Sequence, residues 1–170
     1  MTSPRPRTLR AAALVVGVAV AGLALAGCSA TNPITTQHEY SSSDGVRFTL
    51  GDVRGSNLHV LTAAEGDPGT LQGGLINDGS EDRSVTLAID DDEKTTVQLG
   101  PKETVLLGVS DAEDEGYAEV TFEAIDAPPG GLVPVTISTP EDGSIVEQVP
   151  VLDGTLPEYA SQVPTAPAED

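Results

Sequence analysis

A chain of 170 residues with 27 acidic and eight basic side chains carries a net charge of −19, which excludes an electrostatic footprint for DNA or RNA. A single cysteine excludes an internal disulfide and offers no second thiolate to a zinc site. Tryptophan is absent and phenylalanine occurs twice, so few large rings are available to fill a core.

The N-terminus divides from the rest near residue 28. Arg5, Arg7 and Arg10 precede the apolar run "AAALVVGVAVAGLALAG", residues 11–27, which ends in small residues. A basic start, an apolar middle and a small-residue end form a secretory signal. As a helix, the run would span roughly 25 Å, short of the ~30 Å hydrocarbon core, so a stable transmembrane anchor is disfavoured. Leu25-Ala26-Gly27-Cys28 resembles the lipobox of bacterial lipoproteins. In that family the cysteine sulfur receives a diacylglycerol and the chain is cut before it. The resemblance implies Cys28 as the lipid-attachment residue and a domain held at the outer face of the cell membrane. Two acyl chains, at ~0.8 kcal/mol per buried CH₂, anchor stably where one chain is marginal.

Residues 1–27 hold three of the eight basic residues and none of the acids, so residues 28–170 have five basic against 27 acidic side chains, net −22. Such a surface repels anionic headgroups and keeps a tethered domain soluble and clear of the membrane. "SATNPITTQHEYSSSD", residues 29–44, reads with Cys28 as a flexible tether of ~20–25 Å r.m.s. span. "TLPEYASQVPTAPAED", residues 155–170, has three prolines and no apolar period, and reads as a disordered tail.

Between them, residues 45–154 alternate apolar and polar residues in short runs separated by turn residues. "VRFTL" sets Val46, Phe48 and Leu50 on one face. "NLHVLTA" sets Leu58 and Val60 inward and His59 outward. "TLQGGLIN" gives Leu71, Gly73 and Leu75, and the Gly73-Gly74 pair inside it signals a bulge or a close backbone approach. Asn77-Asp78-Gly79 suits a turn with positive φ. "RSVTLAI" follows with Val85, Leu87 and Ile89, "TTVQL" with Val97 and Leu99, and "ETVLLGV" with Val105, Leu107 and Val109. "YAEVTFEA" aligns Ala118, Val120, Phe122 and Ala124. "LVPVTIS" and "SIVEQVPV" close the series, and Pro134 and Pro150 within them require strand edges or bulges. Period two dominates and turn signals recur about every ten residues, which predicts an all-β, immunoglobulin-like sandwich of about seven to nine antiparallel strands.

"LQGGLINDGSEDRSVTLAI", "VQLGPKETVLLGV" and "PPGGLVPVTIS…IVEQVPVLDG" together resemble actinobacterial lipoproteins with an immunoglobulin-like or cupredoxin-like sandwich. That group is loosely related to periplasmic copper chaperones of the copper-carrying accessory type. The family binds Cu(I) through methionine and histidine, soft or borderline ligands. Here the only methionine is Met1, and the only histidines are His38 in the tether and His59 in a strand, so no family ligand maps onto this chain.

Two acidic turns raise a calcium hypothesis. "DDDE", residues 90–93, follows an inferred strand. "DAEDEG", residues 111–116, starts like an EF-hand loop, but Phe122 stands where the bidentate Glu belongs. Solvated turns that bind Ca²⁺ weakly are the expectation. His59 reads as an isolated surface histidine. No nucleophile elbow, phosphate loop or dinucleotide motif frames the remaining polar residues. The resulting expectation is a non-enzymatic, lipid-anchored extracytoplasmic module, without cofactor or metal, that binds another envelope protein. The alternative is a metal- or small-solute-binding protein related to copper chaperones.

Overall fold

Alternating Val, Leu and Ile with Thr, Ser and Gln gives extended chain with one apolar face, and two such faces close on each other. The computed structural model describes residues 43–89, 94–108 and 116–164. Among the described residues ten strands run β1 (Val46–Leu50), β2 (Val53–Thr62), β3 (Gly69–Asn77), β4 (Arg83–Ala88) and β5 (Lys94–Leu99), then β6 (Thr104–Leu107), β7 (Tyr117–Ala118), β8 (Thr121–Phe122), β9 (Leu132–Thr139) and β10 (Gly143–Leu152). The all-β sandwich expected from the sequence is the observed architecture.

One layer is β5-β4-β9-β10, antiparallel throughout. The other is built around β2 and β3, which pair antiparallel from Val53↔Asn77 to Thr62↔Gly69. The free edge of β2 takes β1 along its first half and the last residues of β10 along its second, Val151↔Val60 and Leu152↔Leu61. The far edge of β3 takes β8 and β6 in the same divided way. Thus β10 begins in one layer and ends in the other, which stitches the sandwich at that corner. Its pairing with β2 is parallel, as is that of β6 with β7, where only antiparallel strands were expected.

The inward face of both layers forms one buried cluster. It includes Leu58, Val60, Leu71, Leu75 and Phe122 from one side and Val85, Leu87, Val135, Ile137 and Val149 from the other. Phe48 fills its share of that space by lying over Gly55, where a Cβ would meet the ring's Cε1 at 2.1 Å. Pro134 falls in β9 beyond the end of β4, which pairs only with Thr136–Ser138. Pro150 sits in β10 one residue before its pairing with β2 begins. Both prolines therefore occupy positions where no second neighbour requires an N–H.

Two expectations are corrected. "YAEVTFEA" is two short strands, because β7 pairs with β6 and β8 with β3. Beyond Phe122 the chain leaves the sheet, so Ala124 is exposed and Ile125 is buried instead, exchanging backbone hydrogen bonds with Gly66 and Asp67. Second, the Asn77-Asp78-Gly79 turn lacks the positive φ expected of it. It carries the chain from one layer to the other. The segment is held by the Asn77 side chain, which is fully buried. Its Nδ2 donates to the carbonyls of Glu81 (2.7 Å), Gly100 (2.9 Å) and Leu99 (3.3 Å), and its Oδ1 accepts from the Gly79 N–H (2.9 Å). Outside it, Arg54 pairs with Asp78, and Arg83 pairs with Asp52 at 2.8 Å. These ion pairs are exposed on their carboxylate side and add little.

Of the segment read as a tail, residues 155–164 are among those described. A single helical turn, α1 (Pro157–Ala160), starts with Pro157, whose fixed φ suits a first helical position. Tyr159 donates its hydroxyl to Asp44 Oδ2 at 3.0 Å, so both ends of the domain meet. Cys28, His38 and the acidic turns at 90–93 and 111–115 lie outside the described residues. Among those described, no helix is long and apolar enough to cross a membrane.

Candidate functional site

The site begins with an irregularity in β2. The β2–β3 register slips between Ser56 and His59, and Asn57 adopts φ 55° to absorb the extra residue. Across from it, Gly73 adopts φ 133°, and a Cβ there would meet the Ser56 and Asn57 carbonyls at 2.8 Å. This is the bulge and close approach that the glycine pair signals. The Asn57 side chain accepts the Gly45 N–H at 3.0 Å, tying the start of the domain to the bulge.

His59 follows immediately. By strand parity it points away from Leu58 and Val60, as expected, but it does not face solvent: it is 3 % exposed. The expectation of a surface histidine is overturned because the C-terminal segment folds back over that face. The Tyr159 ring lies 5.4 Å from the imidazole at a 52° tilt.

The chemistry of this imidazole is well defined. Its Nδ1 is 2.9 Å from the Asn57 carbonyl, an acceptor only, so Nδ1 carries the proton and donates it. In the neutral ring Nε2 is then a lone-pair acceptor, and it is buried with no hydrogen-bond partner. Burial pushes the ring's pKa below its ordinary value; the Asn57 carbonyl and the Asp44 charge oppose this more weakly.

The sign of the pH dependence follows. A histidine whose pKa is depressed by folding contributes full stability above its unfolded value near 6.5, and that stability is lost as pH falls from there toward the folded value. We expect thermal midpoints to fall as pH drops below about 6.5, and the slope to be smaller in His59→Gln. Asp78 and Asp153 do not confound this window, since hydrogen bonds from Arg54 and Thr155 hold their carboxyls below the usual range. Equal slopes in the two proteins would show that His59 is not held neutral.

Beside His59 opens a cleft of about 710 Å³ on the outer face of the β2–β3–β6 sheet. Its floor is His59, Gln72 and Gly74, one wall is Leu106 and Tyr117, and the other is Glu158, Tyr159 and Gln162 of the C-terminal segment. Gly74 points outward, and its missing side chain leaves open space over the floor, since a Cβ would make only ordinary contact with Leu106 at 3.6 Å. Leu106 and Tyr117 are 42 % and 46 % exposed and form an apolar lip. No lysine or arginine lines the cleft. Among the described residues, no group of three or more His, Cys, Asp or Glu is disposed to hold a metal ion. Sequence reading missed the cleft because its floor and walls come from segments far apart in the chain, His59 and Tyr159 being 100 residues apart; the one local signal was Gly73-Gly74.

The fold and this cleft define a small all-β sandwich domain with an accessible groove on one outer face. Solved structures similar to it are the copper-bound PCuAC domain from PmoF2 (15 % identity, 64 % of this chain, 98 % of that one, TM-score 0.48), the apo PmoF2 domain (16 %, 65 %, 98 %, 0.48) and the apo PCuAC domain from PmoF1 (15 %, 62 %, 98 %, 0.46). No family model and no curated protein matches the chain.

Proposed function

We propose that this chain is a lipid-anchored extracytoplasmic module, without enzymatic activity, that binds another envelope protein through the His59 cleft. Acylated Cys28 would tether the sandwich to the membrane through residues 29–44. The observation that carries the reading is the cleft itself, with a buried, unpartnered imidazole acceptor on its floor. Support for a non-catalytic role comes from the same ring. No hydroxyl or thiol among the described residues bonds to Nε2. A general base activating a nucleophile lies within hydrogen-bond reach of it.

The test is site-specific photocross-linking in intact envelopes. A photoreactive residue at Leu106 on the cleft lip should give a discrete protein adduct, and one at Val146, exposed on the other layer, should not. Identical patterns from both positions, or no adduct at Leu106, would overturn the reading.

A second reading, a metal- or small-solute-binding protein, is favoured by the free Nε2 lone pair alone. A tight Cu(I) site needs two or more soft ligands converging, and residues 28–170 contain no methionine. We expect Cu(I) to bind no tighter than micromolar in competition with a chelator. A stoichiometric nanomolar site would promote this reading to first.

A further inference from the structure

We propose that the cleft beside His59 receives a primary ammonium group, carried by a free amine or by a lysine side chain of a bound protein. The proposal rests on the cleft being the binding surface, and it names what that surface selects. The polar groups that lack a partner set the sign. His59 Nε2 can only accept a hydrogen bond in its neutral form, and it is sealed without one. Leaving such an acceptor unpaired is costly, and a ligand that brings an N–H removes the cost.

Glu158 lines the same cleft, with no lysine or arginine among the lining residues to neutralise it there. An ammonium supplies both a charge for the carboxylate and a donor for the imidazole, which a neutral alcohol or an anion cannot. The rings of Tyr117 and Tyr159 flank the space and offer the aromatic surface that attracts cations. The chain's net charge of −19 raises the local concentration of cations and repels anions. A divalent metal ion would need more ligands than the described residues gather here.

Tyr159 is the movable part. It lies against the imidazole, and α1 has no buried residue. Its polar tie is the hydroxyl bond to Asp44. An ammonium enters along Glu158 and the Tyr117 lip, and reaches Nε2 as the Tyr159 ring swings aside. Gly74 keeps the approach clear.

The test is an NMR titration of the isotopically labelled full chain, following the His59 ring nitrogens and the Tyr159 ring. The probes are n-butylammonium chloride and Nα-acetyl-lysine N-methylamide, with n-butanol and sodium butyrate as neutral and anionic controls. Saturable shifts of His59 Nε2 and Tyr159 with at least one ammonium probe, and none with the controls, are expected. Saturation by both probes points to the ammonium alone; saturation by the lysine derivative only points to a protein-borne group. Glu158→Gln should weaken binding about tenfold or more, the scale of a hydrogen bond to a charged group, with an unchanged far-UV spectrum because the residue is exposed. The inference falls if neither ammonium probe gives a saturable shift, if n-butanol acts as strongly, or if Glu158→Gln binds as well as the parent. Persistence of the Leu106 adduct alongside such a failure would leave the binding module standing and remove only its selectivity.

Discussion

Asn77→Asp is expected to cost about 3–5 kcal/mol, the scale of an uncompensated buried charge, and so a large share of a domain's ~5–15 kcal/mol total. The substitution keeps shape and volume and changes one group. The amide nitrogen that donates to the Glu81, Leu99 and Gly100 carbonyls becomes a carboxylate oxygen facing them. Those carbonyls then lose their donor and meet a negative charge on a side chain that is fully buried. The Gly79 N–H keeps its acceptor, so the damage falls on the side that joins the crossover to the start of the β5–β6 turn. Urea unfolding should give a much lower midpoint with an unchanged slope. Lowering the pH should narrow the gap from the parent, since protonation returns one donor to the side chain. Asn77→Ala, which orphans the carbonyls without adding charge, should be milder. An Asp variant as stable as the parent would show that the crossover is held by its exterior ion pairs.

Cys28→Ala is expected to abolish membrane retention through lipid. The residue follows Leu25-Ala26-Gly27 at the end of an apolar run of 17 residues, and it is the only thiol in the chain. Without the sulfur no thioether can form, and processing that requires the modified cysteine stalls. Labelled fatty acid should enter the parent and not the variant, and the variant should retain its signal and run larger. Undiminished label in Cys28→Ala would refute the anchor. Since two acyl chains supply many buried CH₂ groups and one is already marginal, intermediate retention is not expected.

Much of the fold was legible because a half-buried strand writes its burial into the sequence with period two. Leu58, Val60, Leu71, Leu75, Val85, Leu87, Val97, Leu99, Val105, Leu107, Val120, Phe122, Val133, Val135 and Ile137 all face inward as the alternation implies. The prolines of β9 and β10 could be assigned to positions lacking a second neighbour for the same local reason. The candidate site was less legible. Gly73-Gly74 marked the bulge, but a glycine pair says nothing about which chain approaches it.

What the sequence by itself determined is therefore most of the strands and the side of each that is apolar. These follow from side-chain chemistry along a few neighbouring residues. Tertiary structure alone decided which strands pair, that β10 runs parallel to β2, that Asn77 bridges the layers, and that His59 is buried beneath Tyr159. The physical reason is range. Alternation fixes which face of a strand leaves water for the core, but the opposite face is covered or bare according to where a distant segment comes to rest. Residues 155–164 are too polar to advertise a buried face, yet with Tyr159 bonded to Asp44 and its tilted ring against the imidazole they turn the outward side of β2 from surface into the floor of a cleft.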